Sequence, residues 1–351
     1  MIFSSDNWAG AHPLIAESLV KAAPGFAPAY GTSPLDRRVE AMLAEVFGRE
    51  VAVFFVGTGT AANSLAFASV TRPGGHVFCH REAHVNSDEC GAPEFFSLGA
   101  RMAPVDGALG KMDPERLEAE IRRFPPGSVH AGQPMAVTLT QATEAGTVYT
   151  LDEISAVSEI ARRYALPLHM DGARFANALV ALDATPAEMT WKRGVDILSF
   201  GGTKNGCWCA EALILFDPAK TGDMPYLRKR SAQLFSKTRF VSAQLEAYLD
   251  KDLWLDLARH ANTMAKRLAD GLTDSNSARL AWPSNANELF VILKTANAEA
   301  LKEKGALFYP WPVPHALAGS LAADEGLYRL VTSFATEPGD VDAFLEGCRS
   351  A

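Results

Sequence analysis

No stretch of this 351-residue chain supplies the run of about 20 apolar residues that a membrane-spanning helix needs. Cationic charge is scarce too: 33 Lys and Arg stand against 41 Asp and Glu, a formal net charge of −8. The one basic cluster, R-K-R at Arg228–Arg230, is too short for a nucleic-acid stripe and reads as a solvated helix face. Cysteine is sparse and odd in number, with Cys79, Cys90, Cys207, Cys209 and Cys348 at spacings that fit no disulfide framework, so reduced thiols are expected. His76, Cys79, His80, His84 and Cys90 crowd one window but lack the paired elements of a zinc site, and no metal is expected. The opening M-I-F-S-S-D-N has neither the basic start nor the apolar core of a signal segment. These absences point to an acidic globular protein of the cytoplasm that acts on small molecules, with no nucleic acid and no membrane among its partners.

What is present is an alternation. Residues 1–30 hold Pro13, Pro24, Gly25 and Pro28 and one short helix, Leu14–Ala22, and read as an arm packed on something larger. From Leu35 to Phe47 apolar residues recur at helical spacing, closed by Gly48, and V-A-V-F-F-V (Val51–Val56) follows as a buried strand. Then come His76–Cys79, Ala136–Thr140, Leu166–Met170, Val195–Phe200 and Ala212–Phe216, short apolar runs separated by helical segments. Helix Leu151–Ala165 is the clearest connector, with Thr150 and Glu153 spaced as a capping box. The pattern predicts an α/β fold on a mostly parallel sheet over residues 31–240. A long helical stretch, Phe240–Leu272, leads into a smaller α+β domain over residues 241–351, with strands at Glu288–Leu293 and Tyr328–Thr332.

Three of these runs end in chemistry. Val195–Phe200 leads into S-F-G-G-T-K-N-G (Ser199–Gly206), which sets Lys204 on a glycine-flanked turn. Leu166–Met170 ends in D-G-A-R, carrying Asp171 and Arg174. Val51–Val56 ends in G-T-G-T-A-A-N (Gly57–Asn63), which offers backbone N–H groups and the hydroxyls of Thr58 and Thr60 at a helix N-terminus, an anion site on physical grounds. Ligands of open α/β sheets gather at the carboxyl ends of strands, where all three would converge. A lysine amine forms a Schiff base with an aldehyde, and a carboxylate keeps a pyridinium charged while electrons flow into its ring; pyridoxal phosphate asks for both. Competing accounts exist. G-T-G-T-A-A also reads as the dinucleotide fingerprint G-x-G-x-x-A with Glu82 about twenty residues on, an NAD reading that leaves Lys204 and Asp171 without a role. The glycine turn also has a purely structural reading, Asp171 and Arg174 one as a helix cap with a surface ion pair, and His84 one as an exposed loop residue; its functional reading stacks the imidazole on a cofactor face.

These motifs, with S-S-D-N (Ser4–Asn7), Tyr30-Gly31, Ala83-His84, S-K-T-R-F (Ser236–Phe240) and R-L-V-T (Arg329–Thr332), make the chain resemble, over essentially its whole length, the pyridoxal-phosphate enzymes of fold type I, the aspartate-aminotransferase superfamily. Within them it resembles the low-specificity L-threonine aldolases and phenylserine aldolases. The resemblance implies a seven-stranded, mostly parallel large-domain sheet, a smaller C-terminal domain, and cleavage of a β-hydroxy-α-amino acid to glycine and an aldehyde. It implies Lys204 as the imine-forming lysine, Asp171 at the pyridine nitrogen, His84 stacked on the ring, and Thr58, Gly59 and Thr60 at the phosphate. Arg174 would reach the phenolic oxygen and, with Ser5, Tyr30 and Arg329, the substrate. Arg239 and Lys237 would approach the phosphate from a neighbouring subunit of a tetramer built as a dimer of dimers. The chain departs at T-Q-A-T-E (Thr140–Glu144), with Thr143 where many threonine aldolases carry a histidine; His84 or an ordered water would then serve as base. Other reactions on the same fold remain rivals: β-elimination, transamination and serine hydroxymethyl transfer.

Overall fold

Seven short strands form the main sheet of the computed structural model, which describes residues 1–273, 277–314 and 319–349. They are β1 (Ala52–Val56), β2 (Gly75–His80), β3 (Arg101–Val105), β4 (Gln133–Thr140), β5 (Leu168–Gly172), β6 (Ile197–Gly201) and β7 (Glu211–Leu215), laid side by side as β1-β7-β6-β5-β4-β2-β3. From β3 to β6 every pairing is parallel, and β7 runs antiparallel to both β6 and β1. Every residue of β5, β6 and β7 is buried. Strands covered on both faces read as continuous apolar runs, which is why these were visible in the sequence. Each fully covered Leu, Ile or Phe there, such as Leu198, Phe200 and Ile214, contributes about 1.5–3 kcal/mol.

The crossover helix Leu151–Arg163 starts at the expected box: Thr150 Oγ1 accepts from the Glu153 amide, and Glu153 Oε2 accepts from the Thr150 amide at 2.7 Å. Its face of Ile154, Val157, Ile160 and Ala161 enters the large core. Buried His169 ties three parallel strands together, its Nδ1 at 2.8 Å from Thr138 Oγ1 on β4 and its Nε2 at 2.9 Å from Ser199 Oγ on β6. Burial drives this imidazole down to about 4, so it is neutral at pH 7.

A second, antiparallel sheet contains β8 (Ala278–Leu280), β9 (Glu288–Lys294), β10 (Tyr309–Pro310) and β11 (Glu325–Val331) in the order β10-β11-β9-β8. Helices Leu253–Thr273 and Pro338–Arg349 cover it. The first residues of the chain join this unit: Ile2 bridges Leu307, the Phe3 amide donates to Leu307 O, and the Val331 amide donates to Phe3 O. Phe3 is buried there against Phe344.

Three expectations change. Strand Arg101–Val105 was not anticipated, because R-M-A-P-V is short and carries Pro104; at the sheet edge a missing N–H is tolerated. The stretch Phe240–Leu272 is two helices, Arg239–Leu249 and Leu253–Thr273, broken where Lys251 and Asp252 take positive φ with no glycine to announce it. Arg228 is not on a solvated face: it lies half-buried over the Phe54 ring at 5.8 Å, while Lys229 and Arg230 are exposed. The topology also removes the dinucleotide reading. Such a fingerprint needs a βαβ unit of adjacent parallel strands, whereas β1 pairs antiparallel with β7 and is separated from β2 by four strands.

Candidate active site

Close backbone approach at the ends of β5 and β6 brings the acid and the amine together. A Cβ on Gly172 would lie 2.6 Å from Ser199 O, and one on Gly201 would lie 2.7 Å from Ala173 O. Only glycine allows the two strand ends to meet this way. Asp171 is buried on β5, where its Oδ2 accepts from Asn63 Nδ2 at 2.9 Å and its Oδ1 from the Ala173 amide at 3.1 Å. Lys204 sits in the turn Thr203–Asn205 after β6. Glu211 clamps that turn by accepting from the amides of Gly202 and Thr203, both at 3.3 Å. Burial pushes the Glu211 carboxyl up to about 7, against the pull of Thr203 and of the Lys204 charge. On its other side, Asn205 Nδ2 donates to Tyr248 Oη and Trp254 O, both at 2.8 Å.

Helix Gly59–Ala68 follows β1 and points its first turn into open space. Thr58 caps it, its Oγ1 accepting from the Ala61 amide. The amides of Gly59 and Thr60 meet no hydrogen-bond partner among the described residues, and a Cβ on Gly59 would touch nothing within 4 Å. Lower in the same helix, Asn63 Nδ2 is shared between Asp171 and Glu89 Oε1 at 2.8 Å. Glu89 Oε1 also accepts from His84 Nδ1 at 2.8 Å, a bond that raises the imidazole above its ordinary value. The charges of Asp171 and Lys204 are both felt at His84, so the three residues share one neighbourhood.

Arg174 is held bidentately by Asp6, Nε to Oδ2 at 2.7 Å and Nη2 to Oδ1 at 3.0 Å, and its Nη1 lies 3.0 Å from Glu288 Oε2. Burial alone would lower the guanidinium, but Asp6 and Glu288 outweigh it and hold it above the usual range. Asp6 mirrors this: burial would raise it, yet Arg174 and Lys204 keep it low. Arg329 stacks over Trp311 at 4.6 Å with Nη1 3.6 Å from Glu288 Oε1, so one buried carboxylate bridges both arginines. Ser5 caps the 3-10 turn that carries Asp6. Tyr30, Lys237 and Arg239 lie together elsewhere: the Tyr30 amide donates to Ser236 O, and Arg239 donates to the carbonyls of Ala23 and Gly25. Among the described residues, none of the three is hydrogen-bonded or ion-paired to Lys204, Asp171 or His84.

Thr143, where the resemblance places a histidine in many relatives, points into its own turn. Its hydroxyl is 2.8 Å from Thr147 Oγ1 and donates to Leu109 O, closing the turn after β4. The next residue, Glu144, faces the site instead, its Oε1 accepting from the His84 amide at 2.7 Å. Asp6, Asn63, Glu89, Glu144, Glu211 and Glu288 were not singled out from the sequence. Asp6, Asn63 and Glu144 lie inside motifs that were, and Glu89, Glu211 and Glu288 have no local signal because nothing in the sequence marks an acidic side chain as buried. Of the aromatics, Trp8, Phe95 and Trp208 are exposed and serve no core packing. Two clefts of about 290 and 630 Å³ around Val180 and Arg259 contain none of Lys204, Asp171 and His84; the chemistry, not the depth of a cleft, marks this site.

Comparison with known proteins places the chain in a family. The family model described as beta-eliminating lyase matches residues 3–296. A low specificity L-threonine aldolase from Pseudomonas aeruginosa is 42% identical over 308 residues, 88% of each chain. Another from a Pseudomonas species is 40% identical over 335 residues, 92% of this chain and 96% of that one. Among solved structures, a threonine aldolase from Leishmania major superposes with a TM-score of 0.92 at 29% identity, covering 99% of this chain and 98% of that one.

Proposed function

From its place in the beta-eliminating lyase family, to which the chain belongs, we infer that it is a pyridoxal-phosphate-dependent aldolase that cleaves L-threonine, L-allo-threonine and related β-hydroxy-α-amino acids to glycine and an aldehyde. The observation that carries this reading is the meeting of Lys204, Asp171 and the open N-terminus of helix Gly59–Ala68, in a chain 40–42% identical to low-specificity L-threonine aldolases over most of its length. The residues present suit the cofactor. Two amides without partners and a glycine facing empty space suit a phosphate, and a buried carboxylate locked by Asn63 suits a pyridinium. Bound there, the cofactor supplies an electron sink for the bond that breaks.

In this reading Lys204 gives the amine that binds the cofactor aldehyde, Asp171 holds the ring nitrogen protonated, and His84 packs against the ring. Thr58, Gly59 and Thr60 hold the phosphate. Arg174 and Arg329, with Ser5 nearby, take the substrate carboxylate and so orient the Cα–Cβ bond, and Tyr30 serves the substrate from the group it forms with Lys237 and Arg239. Lys237 and Arg239 reach the phosphate of a second subunit. Phe26, Trp208 and Tyr226 are exposed aromatic surface of the kind that subunit contacts cover, which supports self-association; its form as a tetramer of two dimers is part of the same proposal. No helix among the described residues is long and apolar enough to cross a membrane; cytoplasmic residence is part of the same proposal.

Incubating the pure holoprotein with L-threonine, L-allo-threonine and L-phenylserine tests the activity. Glycine and an aldehyde in equal amounts are expected; a 2-oxo acid would favour β-elimination or transamination instead. Borohydride should trap an adduct on Lys204, and Lys204→Ala should lose both the adduct and nearly all turnover.

A further inference from the structure

Within the aldolase reading, one role has no residue: something must take the proton of the β-hydroxyl as the carbon–carbon bond opens. We propose that Glu144 is this proton acceptor, working through its Oε2 atom.

The turn after β4 sets the geometry. Thr143 N donates to Thr147 O and Gly146 N to Thr143 O, folding residues 143–147 back on themselves, and the Thr143 hydroxyl is consumed inside that turn. Glu144 is left on the side facing His84, with Oε1 occupied by the His84 amide. Although the residue keeps part of its surface open, Oε2 is buried and has no hydrogen-bond partner among the described residues. A buried carboxylate oxygen without a donor is a place where an incoming O–H is favoured. Charged groups stand close to it: Asp171 on β5 is felt at Glu144, and Glu144 is felt at Arg174, so the carboxylate lies near both the proposed ring-nitrogen partner and a proposed substrate-binding arginine. Cys79 on β2 and Tyr149 beyond the turn also face it, both pushed up by burial and further by Glu144, and hence neutral at pH 7. Thr140 on β4 and the His84 amide stabilise its ionised form.

Burial is the largest influence on this carboxyl and pushes it to about 7, near the operating pH, where a general base is most effective. His84 is the weaker rival, because Glu89 occupies its Nδ1 and draws the ring toward its protonated form. The step balances without an oxidant or reductant. The proton on the β-oxygen passes to Glu144 Oε2, and the O–H pair becomes the second bond of the aldehyde carbonyl. The Cα–Cβ pair stays with Cα, which takes up one proton to give glycine, while Glu144 releases its proton to solvent.

Glu144→Gln is the decisive variant, since a glutamine oxygen can still accept from the His84 amide and keep the local structure. Aldehyde release should fall by about 10²- to 10⁴-fold, and the acid limb of the wild-type rate, centred near pH 7, should disappear. Exchange of the glycine α-proton with deuterated solvent, which involves no hydroxyl, should be largely retained. In the cofactor-free protein, infrared difference spectra across pH 5–9 should show a carboxyl titrating near 7 that is missing from Glu144→Gln. The proposal is overturned if the variant keeps aldehyde release within a few-fold of wild type, or loses glycine exchange to the same degree, which would make Glu144 a positioning residue only. A wild-type protein that releases no aldehyde from any of the three substrates overturns the aldolase reading itself, an outcome separate from either.

Discussion

At the scale of single residues, the site is built from shared acceptors. Asn63 holds Asp171 and Glu89 with one amide nitrogen, and Glu89 holds His84. Replacing Asn63 with Leu therefore loosens two carboxylates at once. Each buried hydrogen bond to a charged group is worth about 1.5–3 kcal/mol, so cofactor affinity is expected to drop by at least tenfold, measured by fluorescence titration of the cofactor-free protein. Asn63→Asp should be worse, because it would set a third carboxylate beside the two already there. Glu288 acts on the arginines in a similar way. It lies between Arg174 and Arg329 and, with Asp6, offsets their charge. Glu288→Gln should tighten glycine binding by severalfold by leaving more positive charge for a ligand carboxylate, while lowering stability; equilibrium dialysis and thermal melting would read the two effects. Lys204, Asp171 and the Gly57–Asn63 turn were visible in the sequence because each ends an apolar run. Glu89, Glu144, Glu211 and Glu288 were not, since an acidic side chain carries no mark of burial until its partners are known. Glu144 sits beside Thr143 in T-Q-A-T-E, and in a turn adjacent side chains point different ways, so only the folded backbone decides which of the two faces His84.

At the scale of elements, the parallel strands were the most legible part of the chain, because burial on both faces writes an unbroken apolar run into the sequence. Edge strand β3 and the break at Lys251 left no such trace: one is short and carries proline, and the other adopts positive φ without glycine. The strand core carries its own pH sensitivity. His169 is neutral in the folded protein with a value near 4 and ordinary, near 6.5, when unfolded. The unfolded chain therefore binds the extra proton first, and the stability His169 contributes is present above pH 6.5 and lost as pH falls toward 4, by up to about 3 kcal/mol. Buried Glu144 and Glu211 act in the opposite sense, each losing stability as pH rises from 4.5 toward 7, so the His169 effect is best isolated as a difference. The stability gap between wild type and His169→Gln, taken from urea midpoints, should narrow steadily from pH 6.5 to pH 4. A gap that stays constant across that range would mean that this imidazole does not titrate with unfolding.

At the scale of the whole molecule, two sheets and an N-terminal strap enclose the chemistry. If Lys237 and Arg239 serve a neighbouring subunit, dilution into monomers should weaken cofactor retention, and Arg239→Ala should do so without dilution; sedimentation with absorbance detection at the cofactor band would follow both. Arg239 also bonds the carbonyls that end helix Pro13–Ala22, so comparing Arg239→Ala with Lys237→Ala, which makes no such bond, separates phosphate binding from support of the arm. The strap has a consequence for biosynthesis. Phe3 and Asp6 are synthesised well before Asn287, Leu307 and Val331, with 281 positions between Asp6 and its partner Asn287. The strap can therefore settle on the second sheet only after β9 and β11 have been made, so the docking that fixes Asp6 opposite Arg174 is a closure between segments made far apart in time.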